Sequence, residues 1–498
     1  MNYGFAIDTR SCIGCHACST ACKSENAVPL GVSRTWVKVT EVGVYPDTRR
    51  NFQVTRCNHC SDAPCVKICP VSAMYNRDDG IVEFDPETQT AAKCHFCAHR
   101  IEVGQEPACV TVCPTHAILA GDLDDPASEI SRVVSSNSVT VRKPEQGTGP
   151  KLFYIDGHDI SLHPTALDHD VAGLMFTEAP RAAPAYTDQV AEAGEMMADG
   201  PIRVAPGRMA EHMAQVAYRA RSVVPWHWQV PAYMVTKGIG AGVFALLALG
   251  SLFGWWVVSA RDVVWIGGIG LLAQVATVGL LLADLERPDR FLNLILRPQF
   301  KSWIARAVFI LIGMSVATGS WWLAELLTYV QVVDLTWLRL PLAGVTLPMT
   351  ALGASYTAFL FAQCEGRDLW QSPLMPLHLL VQAIVAGAAT WLAIAPLGFE
   401  GPAATLLIGA LVVDAVAILG ELGTSHASEL ASRAARDITS GPWSATFWIG
   451  AILVGHVIAL LLALGGPIGG VLGGLAALAG LYAYEHVFVM APQHLPNS

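Results

Sequence analysis

Residues 12–22 read CIGCHACSTAC, which places Cys12, Cys15, Cys18 and Cys22 with gaps of two, two and three residues. Two further groups follow. Cys57, Cys60, Cys65 and Cys69 lie in CNHCSDAPCVKICP (57–70), and Cys94, Cys97, Cys109 and Cys113 in CHFCAHRIEVGQEPACVTVCP (94–114). Of 13 cysteines only Cys364 lies outside these groups. Two-residue gaps let a loop wrap three thiolates around one face of a cubane, with the loop amides turned toward the sulfurs. The fourth cysteine, three residues on, points toward a neighbouring cluster.

Disulfides fit this pattern poorly, because adjacent C-x2-C pairs make weak structural bridges. Twelve thiolates could instead form three tetrahedral zinc sites. The C-x2-C-x2-C-x3-C run, however, is the spacing of iron–sulfur proteins rather than of a zinc ribbon.

Outward from the cysteines the composition changes. Across 498 residues, 53% are hydrophobic and 14% charged, against about 25% charged in ordinary soluble chains. The mean hydropathy is +0.43. A formal charge of -10 excludes the basic face of a nucleic-acid binder. From residue 229 onward, apolar runs recur at the length a helix needs to cross about 30 Å of hydrocarbon at 1.5 Å per residue. Eight are expected: 229–257, 263–285, 307–327, 338–363, 377–396, 404–422, 447–465 and 468–490. Gly465–Gly466–Pro467 is the break between the last two.

The opening MNYGFAIDTRSC has no apolar core, so no secretory signal is expected. Arg49–Arg50 lies internally with no apolar segment after it, unlike a twin-arginine signal. Eight spans put the N-terminal domain, the loops 286–306, 366–376 and 423–446 and the C-terminus on one side. That side carries Arg219, Arg221, Arg287, Arg290, Arg297, Lys301, Arg306, Arg367, Arg433 and Arg436, against Arg261 and Arg339 on the other. The positive-inside rule then places the cysteine domain in the cytoplasm, where thiols stay reduced and available to metal.

Residues 1–155 resemble the iron–sulfur electron-transfer subunit of the dimethyl sulfoxide reductase (molybdopterin oxidoreductase) family. The likeness rests on CIGCHACSTACK, RCNHCSDAPCVKICP, KCHFCAHRIEVGQEPACVTVCP, GDLDDPASEIS and KPEQGTGPKLFYI. That family usually carries four cysteine groups, the first cross-ligating with the last and the middle two with each other. Where its third group would sit, this chain has EFDPETQTAAK and no cysteine. The resemblance implies one cluster on Cys12, Cys15, Cys18 and Cys113, and a second on Cys94, Cys97, Cys109 and Cys22. A third, 4Fe–4S or 3Fe–4S, would sit on Cys57, Cys60 and Cys65, with Cys69 either turning inward or left out.

The C-terminal half is similar to the eight-helix polysulfide reductase membrane subunit (NrfD-like) family, which exchanges electrons with quinones and holds no haem. The carrying stretches are WHWQVPAYMVTKGIGAG, LLADLERPDRFLNLILRP, ALGASYTAFLFAQCEGRDLWQSPLMP and MAPQHLPNS.

Polar groups within lipid are costly, and are either functional or paired. Alternating helix direction puts Trp226, His227, Tyr233, Lys237, Asp284, Tyr356 and Gln363 toward the cysteine-domain side. Trp226 and Trp228 also suit an interfacial belt. The quinone-binding candidates are Tyr233, Lys237, Asp284, Tyr356 and His227. Deeper groups, Glu325, Asp414, Glu421 and His456, suit a proton path or interhelical hydrogen bonding equally. His227, His378 and His486 lie near helix ends and only His456 is central, so no haem is expected.

Together these readings predict an α+β ferredoxin-type 4Fe–4S domain (1–155) and an all-α eight-helix transmembrane bundle (226–498). Residues 156–225 join them as an irregular linker, with a membrane-surface helix expected over 207–222. The function expected is a fused electron-transfer and membrane-anchor subunit of a quinone-linked respiratory oxidoreductase in a prokaryotic inner membrane. The implied partners are a separate molybdenum or tungsten pterin catalytic subunit, the quinone pool and the bilayer, with no nucleic acid. Oxidation of formate or a sulfur oxyanion suits that orientation. The alternatives are a periplasmic-facing quinol-dependent reductase subunit and a non-redox membrane protein with a metal-bearing domain.

Overall fold

The computed structural model describes residues 1–28, 32–44, 46–85, 92–162, 214–218, 226–285, 292–296, 298–364, 367–397 and 402–495. The chain divides into Met1–Val66 with Ala73–Val223 and Pro496–Ser498, and Lys67–Ser72 with Val224–Leu495.

The first unit is α+β. Its strands are β1 (Tyr3–Asp8), β2 (Trp36–Val44), β3 (Asp47–Thr55), β4 (Met74–Asn76), β5 (Val82–Phe84), β6 (Ile118–Asp122), β7 (Val139–Thr140), β8 (Leu152–Ile155) and β9 (Ala214–Tyr218). A four-stranded sheet runs β6–β1–β8–β7, with β1 antiparallel to β6 and parallel to β8. Phe5, Ile7, Ile118, Leu152 and Tyr154 bury one continuous core against Phe96, Val37 and Val54. A second sheet, β3–β2–β9, and the hairpin β4–β5 complete the unit. Short helices Ala17–Glu25, Pro64–Ile68 and Ala108–Thr111 carry Cys18, Cys22, Cys65 and Cys109.

One expectation is corrected here. Within the surface helix expected over 207–222, Ala214–Tyr218 is instead a strand antiparallel to β2. The edge of β2 offers unpaired backbone groups, and pairing there satisfies both strands. The rest of 207–222 and most of the expected linker lie outside the described residues, as do Arg219, Arg221, Arg287, Arg290 and Arg297.

The second unit holds the eight expected spans: Gln229–Phe253, Ala260–Ala283, Trp303–Tyr329, Thr336–Ala362, Met375–Ile394, Ala403–Leu422, Thr446–Ala463 and Gly466–His494. Local caps explain where the bounds moved. Span one ends at Phe253 rather than 257 because Gly254 turns left-handed (φ 65°) and its N–H returns to Gly250 O. A capping box between Ser259 and Asp262 starts span two at Ala260, and Ser302 caps span three one turn before 307.

Span one packs against spans two, four, five and eight. It meets span five where Gly242 lies so close to Ala383 and Gly387 that a Cβ would overlap their backbone. Small residues let helix backbones meet in this way within lipid. Span seven is π-helical over Thr446–Ile458, a winding that is rare and concentrates at functional sites.

Candidate functional site

The first C-x2-C loop of each cysteine group shares one backbone device. The residue before the second cysteine is left-handed in each: Gly14 (φ 67°), His59 (φ 43°) and Phe96 (φ 63°). This turn brings that residue's N–H onto the first cysteine's sulfur, so that Gly14 donates to Cys12, His59 to Cys57 at 3.4 Å and Phe96 to Cys94. An αR–αL turn of this kind aims amides at an anion. His59 and Phe96 each accept a conformation that L side chains adopt rarely, and their rings meet edge-on at 5.3 Å.

Thiols from separate groups lie near one another, Cys18 near Cys109 as well as Cys15, and Cys94 near Cys57 as well as Cys109. Cys12 is electrostatically coupled to Cys15, Cys18 and Cys113. Cys22, Cys94, Cys97 and Cys109 line one cleft with Asn26, Arg56 and Phe96. Asn26 Nδ2 lies 3.7 Å from Cys22 Sγ and 3.9 Å from Cys97 Sγ, joining groups far apart in sequence. Cys65 is coupled to Cys57 and Cys60.

Burial pushes the Cys94 thiol up to about 12 and Cys65 to about 11. A thiolate there needs a cationic partner to offset its desolvation. Among the described residues no three His, Cys, Asp or Glu side chains gather as they would round a single ion; a cubane holds its thiolates apart by its own width. The donor set, the amide-lined loops and the four-thiol cleft therefore fit iron–sulfur clusters.

In the membrane unit the polar side chains form two connected groups. The first joins spans one and four. Lys237, 2% exposed, donates from Nζ to Ala354 O (2.9 Å) and Thr357 Oγ1 (2.6 Å) and stands 4.7 Å from the Tyr356 ring centroid. Tyr233 is buried beside Tyr356 and Thr357. A small pocket lined by Lys237 also takes in Gln382 and Glu485, and among the described residues Glu485 Oε2 has no hydrogen-bond partner.

The second group joins spans five to eight. His378 Nδ1 meets Glu421 Oε2 at 2.7 Å, and its Nε2 meets Asp414 Oδ1 at 3.1 Å. Asp414 Oδ2 meets His456 Nε2 at 3.1 Å, while Tyr484 donates to Glu421 at 2.9 Å. Gln382 Nε2, 3.3 Å from His378 Nε2 and also beside Glu485, bridges the two groups. The π-helical turn lets the His456 ring reach Ala451 O at 2.8 Å while facing Asp414.

Of the quinone-binding candidates, the structure thus brings Tyr233, Lys237 and Tyr356 together. His227 and Asp284 form a separate pair, with His227 N 3.4 Å from Asp284 Oδ1. Burial raises the Asp284 carboxyl above its ordinary range, with His227 pulling the other way. Gln363, expected among these groups, instead ties the start of span three, accepting from Trp303 N (2.8 Å) and donating to Lys301 O (3.0 Å). Trp226 stacks on Trp370 and Phe361.

Among the proton-path candidates, Asp414, Glu421 and His456 converge. Glu325 stands apart, held by both guanidinium arms of Arg339 at 2.6 and 2.7 Å. Sequence reading missed His378, Gln382, Tyr484 and Glu485. Glu485 was detectable as a carboxylate inside an apolar run, and His378 and Gln382 as an i, i+4 polar pair on one helix face. It also missed Arg56 and Asn26, whose role depends on folding.

Comparison with known proteins agrees with both halves. Residues 217–491 match the family model "Polysulphide reductase, NrfD", and residues 48–92 and 85–123 match "4Fe-4S dicluster domain". Over 178 residues the sequence is 40% identical to a polysulfide reductase component of Wolinella succinogenes, an alignment covering 31% of this protein and 93% of that one. It is 38% identical over 210 residues to a putative dimethyl sulfoxide reductase iron-sulfur subunit of Halobacterium salinarum (31% and 79%). A tetrathionate reductase subunit of Salmonella typhimurium is 38% identical over 192 residues (32% and 75%).

Proposed function

Since the chain belongs to the polysulphide reductase NrfD family, fused to a ferredoxin-type iron–sulfur domain, we propose that it carries electrons between a separate molybdopterin-type catalytic subunit and membrane quinone. Electron transfer by iron–sulfur clusters and a multi-pass membrane location follow from the family itself. The quinone link rests on one observation, a buried lysine and two tyrosines converging inside the helix bundle. Such a cluster suits a substrate whose two carbonyl oxygens take protons as electrons arrive.

Three clusters are assigned. The first takes Cys12, Cys15, Cys18 and Cys113, and the second Cys22, Cys94, Cys97 and Cys109. The third takes Cys57, Cys60 and Cys65 as 3Fe–4S, or Cys69 as well as 4Fe–4S. Bound clusters supply one-electron steps. The chain's own residues do the rest: loop amides and Asn26 hold the sulfurs, and Lys237 offers a proton held ready by Ala354 O and Thr357. Glu485, Gln382, His378, Asp414 and His456 supply an internal path along which the donated proton is replaced.

The inner-membrane setting with a cytoplasmic iron–sulfur domain rests on the arginine asymmetry. That orientation suits a formate- or sulfur-oxyanion-oxidising partner that delivers electrons to quinone. The names of the relatives, polysulfide and tetrathionate reductases, favour a second reading in which quinol reduces a sulfur compound through the same wiring.

The test is to reduce the purified full chain with dithionite and follow its reoxidation by an added quinone. Lys237→Met and Tyr356→Phe should slow reoxidation about 10²-fold with cluster spectra intact. Wild-type rates in both variants would overturn the assigned pocket. Failure of quinone to reoxidise the unaltered chain would overturn the quinone link itself.

A further inference from the structure

Arg56 precedes Cys57 in sequence, yet its guanidinium serves a different group of thiols. Nη1 lies 2.8 Å from Cys109 Sγ, and its charge acts on Cys18, Cys22 and Cys94 as well. The residue is 4% exposed and lines the cleft where Cys22, Cys94, Cys97 and Cys109 meet. Its flat face lies over Phe5 at 4.6 Å, and Phe5 stacks on Phe96 at 4.0 Å. Among the described residues, two of its donors, Nε and Nη2, have no hydrogen-bond partner, and the charged groups that act on it most strongly are thiols rather than carboxylates.

A buried cation without a counterion is strongly destabilising, and a guanidinium cannot escape by losing its proton. Its compensation must therefore be the negative charge of metal-bound thiolates and their sulfides, toward which two donors remain uncommitted.

We propose that Arg56 is a fixed positive charge that raises the reduction potential of the cluster on Cys22, Cys94, Cys97 and Cys109. Each reduction adds one electron, and thus one negative charge, to a site already anionic, and no proton is taken up by the arginine. A cation and hydrogen bonds at the sulfurs favour that reduced state. The arginine is a positioning residue: it stabilises charge on the cluster and reacts with nothing. The inference rests on the cluster assignment above, and it makes this cluster easier to reduce than its thiolates alone would leave it.

The test is an EPR-monitored redox titration of the full chain as Arg56→Gln and Arg56→Lys, with iron and sulfide counted, beside Cys109→Ser as a marker. The expected result is full cluster content in both arginine variants. One signal, the same one that Cys109→Ser removes, should shift furthest to lower potential in Arg56→Gln, with Arg56→Lys intermediate and the cluster that includes Cys18 moving less. The shift should not change across neutral pH, since no proton is exchanged. Unchanged potentials in Arg56→Gln with full cluster content would overturn the proposal. So would loss of the cluster in that variant, which would make Arg56 an assembly residue. If Cys109→Ser keeps every signal, the ligand assignment fails, and the tuning role falls with it.

Discussion

The two halves of this chain build polar sites in opposite ways. In the iron–sulfur unit the candidate ligands are set by spacing: a left-handed residue at the same place in the first C-x2-C loop of each group turns an amide onto the first sulfur. In the membrane unit no short motif carries the site. Lys237, Gln382, His378, Asp414, His456 and Glu485 come from five different helices, and only packing brings them into hydrogen-bond reach. The first kind of site draws most of its groups from a few neighbouring residues, whereas the second depends on the register of a whole bundle. Damage to each should therefore look different.

The largest contrast is expected from ligand removal. Cys97→Ser should abolish one cluster, read as a loss of one cluster's worth of iron and one EPR signal, while the melting of the membrane unit is unaffected. In the bundle, Asp414→Ala leaves His378 and His456 without their shared acceptor. Breaking a buried charged network in this way costs about 3–5 kcal/mol. Thermal unfolding in detergent should show a large drop, with Asp414→Asn losing less because it keeps a hydrogen-bond acceptor. An equal loss in Asn and Ala would mean that the carboxylate's charge, not its hydrogen bonding, holds the group.

A smaller effect tests the register. Gly242→Ala forces a methyl into the Ala383 backbone, and overpacking of this kind costs about 1–3 kcal/mol. Reoxidation by quinone should slow as well, since Lys237 lies on the same helix. Gly319→Ala, where a Cβ meets open space, serves as the control and should change neither.

The smallest effect is a pH dependence. Burial raises the Asp284 carboxyl in the folded state, so folding favours its protonated form. Its stabilising contribution is present at low pH and fades as pH rises from the ordinary carboxylate range through the raised folded value. Asp284→Asn should flatten the melting temperature over that window, measured at the membrane unit's transition. An unchanged slope would show that His227 already compensates the burial.

Legibility followed the same division. The cysteine groups and the eight spans were readable because each is a local pattern: a fixed gap between thiols, or an apolar run of membrane length. The span ends were off by a turn where a cap decided them, as at Ser259 and Ser302. Ala214–Tyr218 misled because five residues carry no decisive period of their own, and the neighbouring edge of β2 chose strand. Asp414, Glu421 and His456 stood out as polar residues in lipid, but nothing in the sequence said that His378 joins them or that Glu325 is held by Arg339. Arg56 was unreadable in principle. Its chain neighbour is Cys57, and only the folded path of β3 carries it to Cys109.

The account's central claim is that one polypeptide carries electrons from bound clusters to a lipid-soluble acceptor. The direct measurement is single-turnover absorbance of the full chain in quinone-containing proteoliposomes after stoichiometric dithionite reduction. Bleached clusters should recover their oxidised colour only when quinone is present, and one quinol should form for every two electrons lost. Clusters that stay bleached with quinone in the bilayer would contradict the claim.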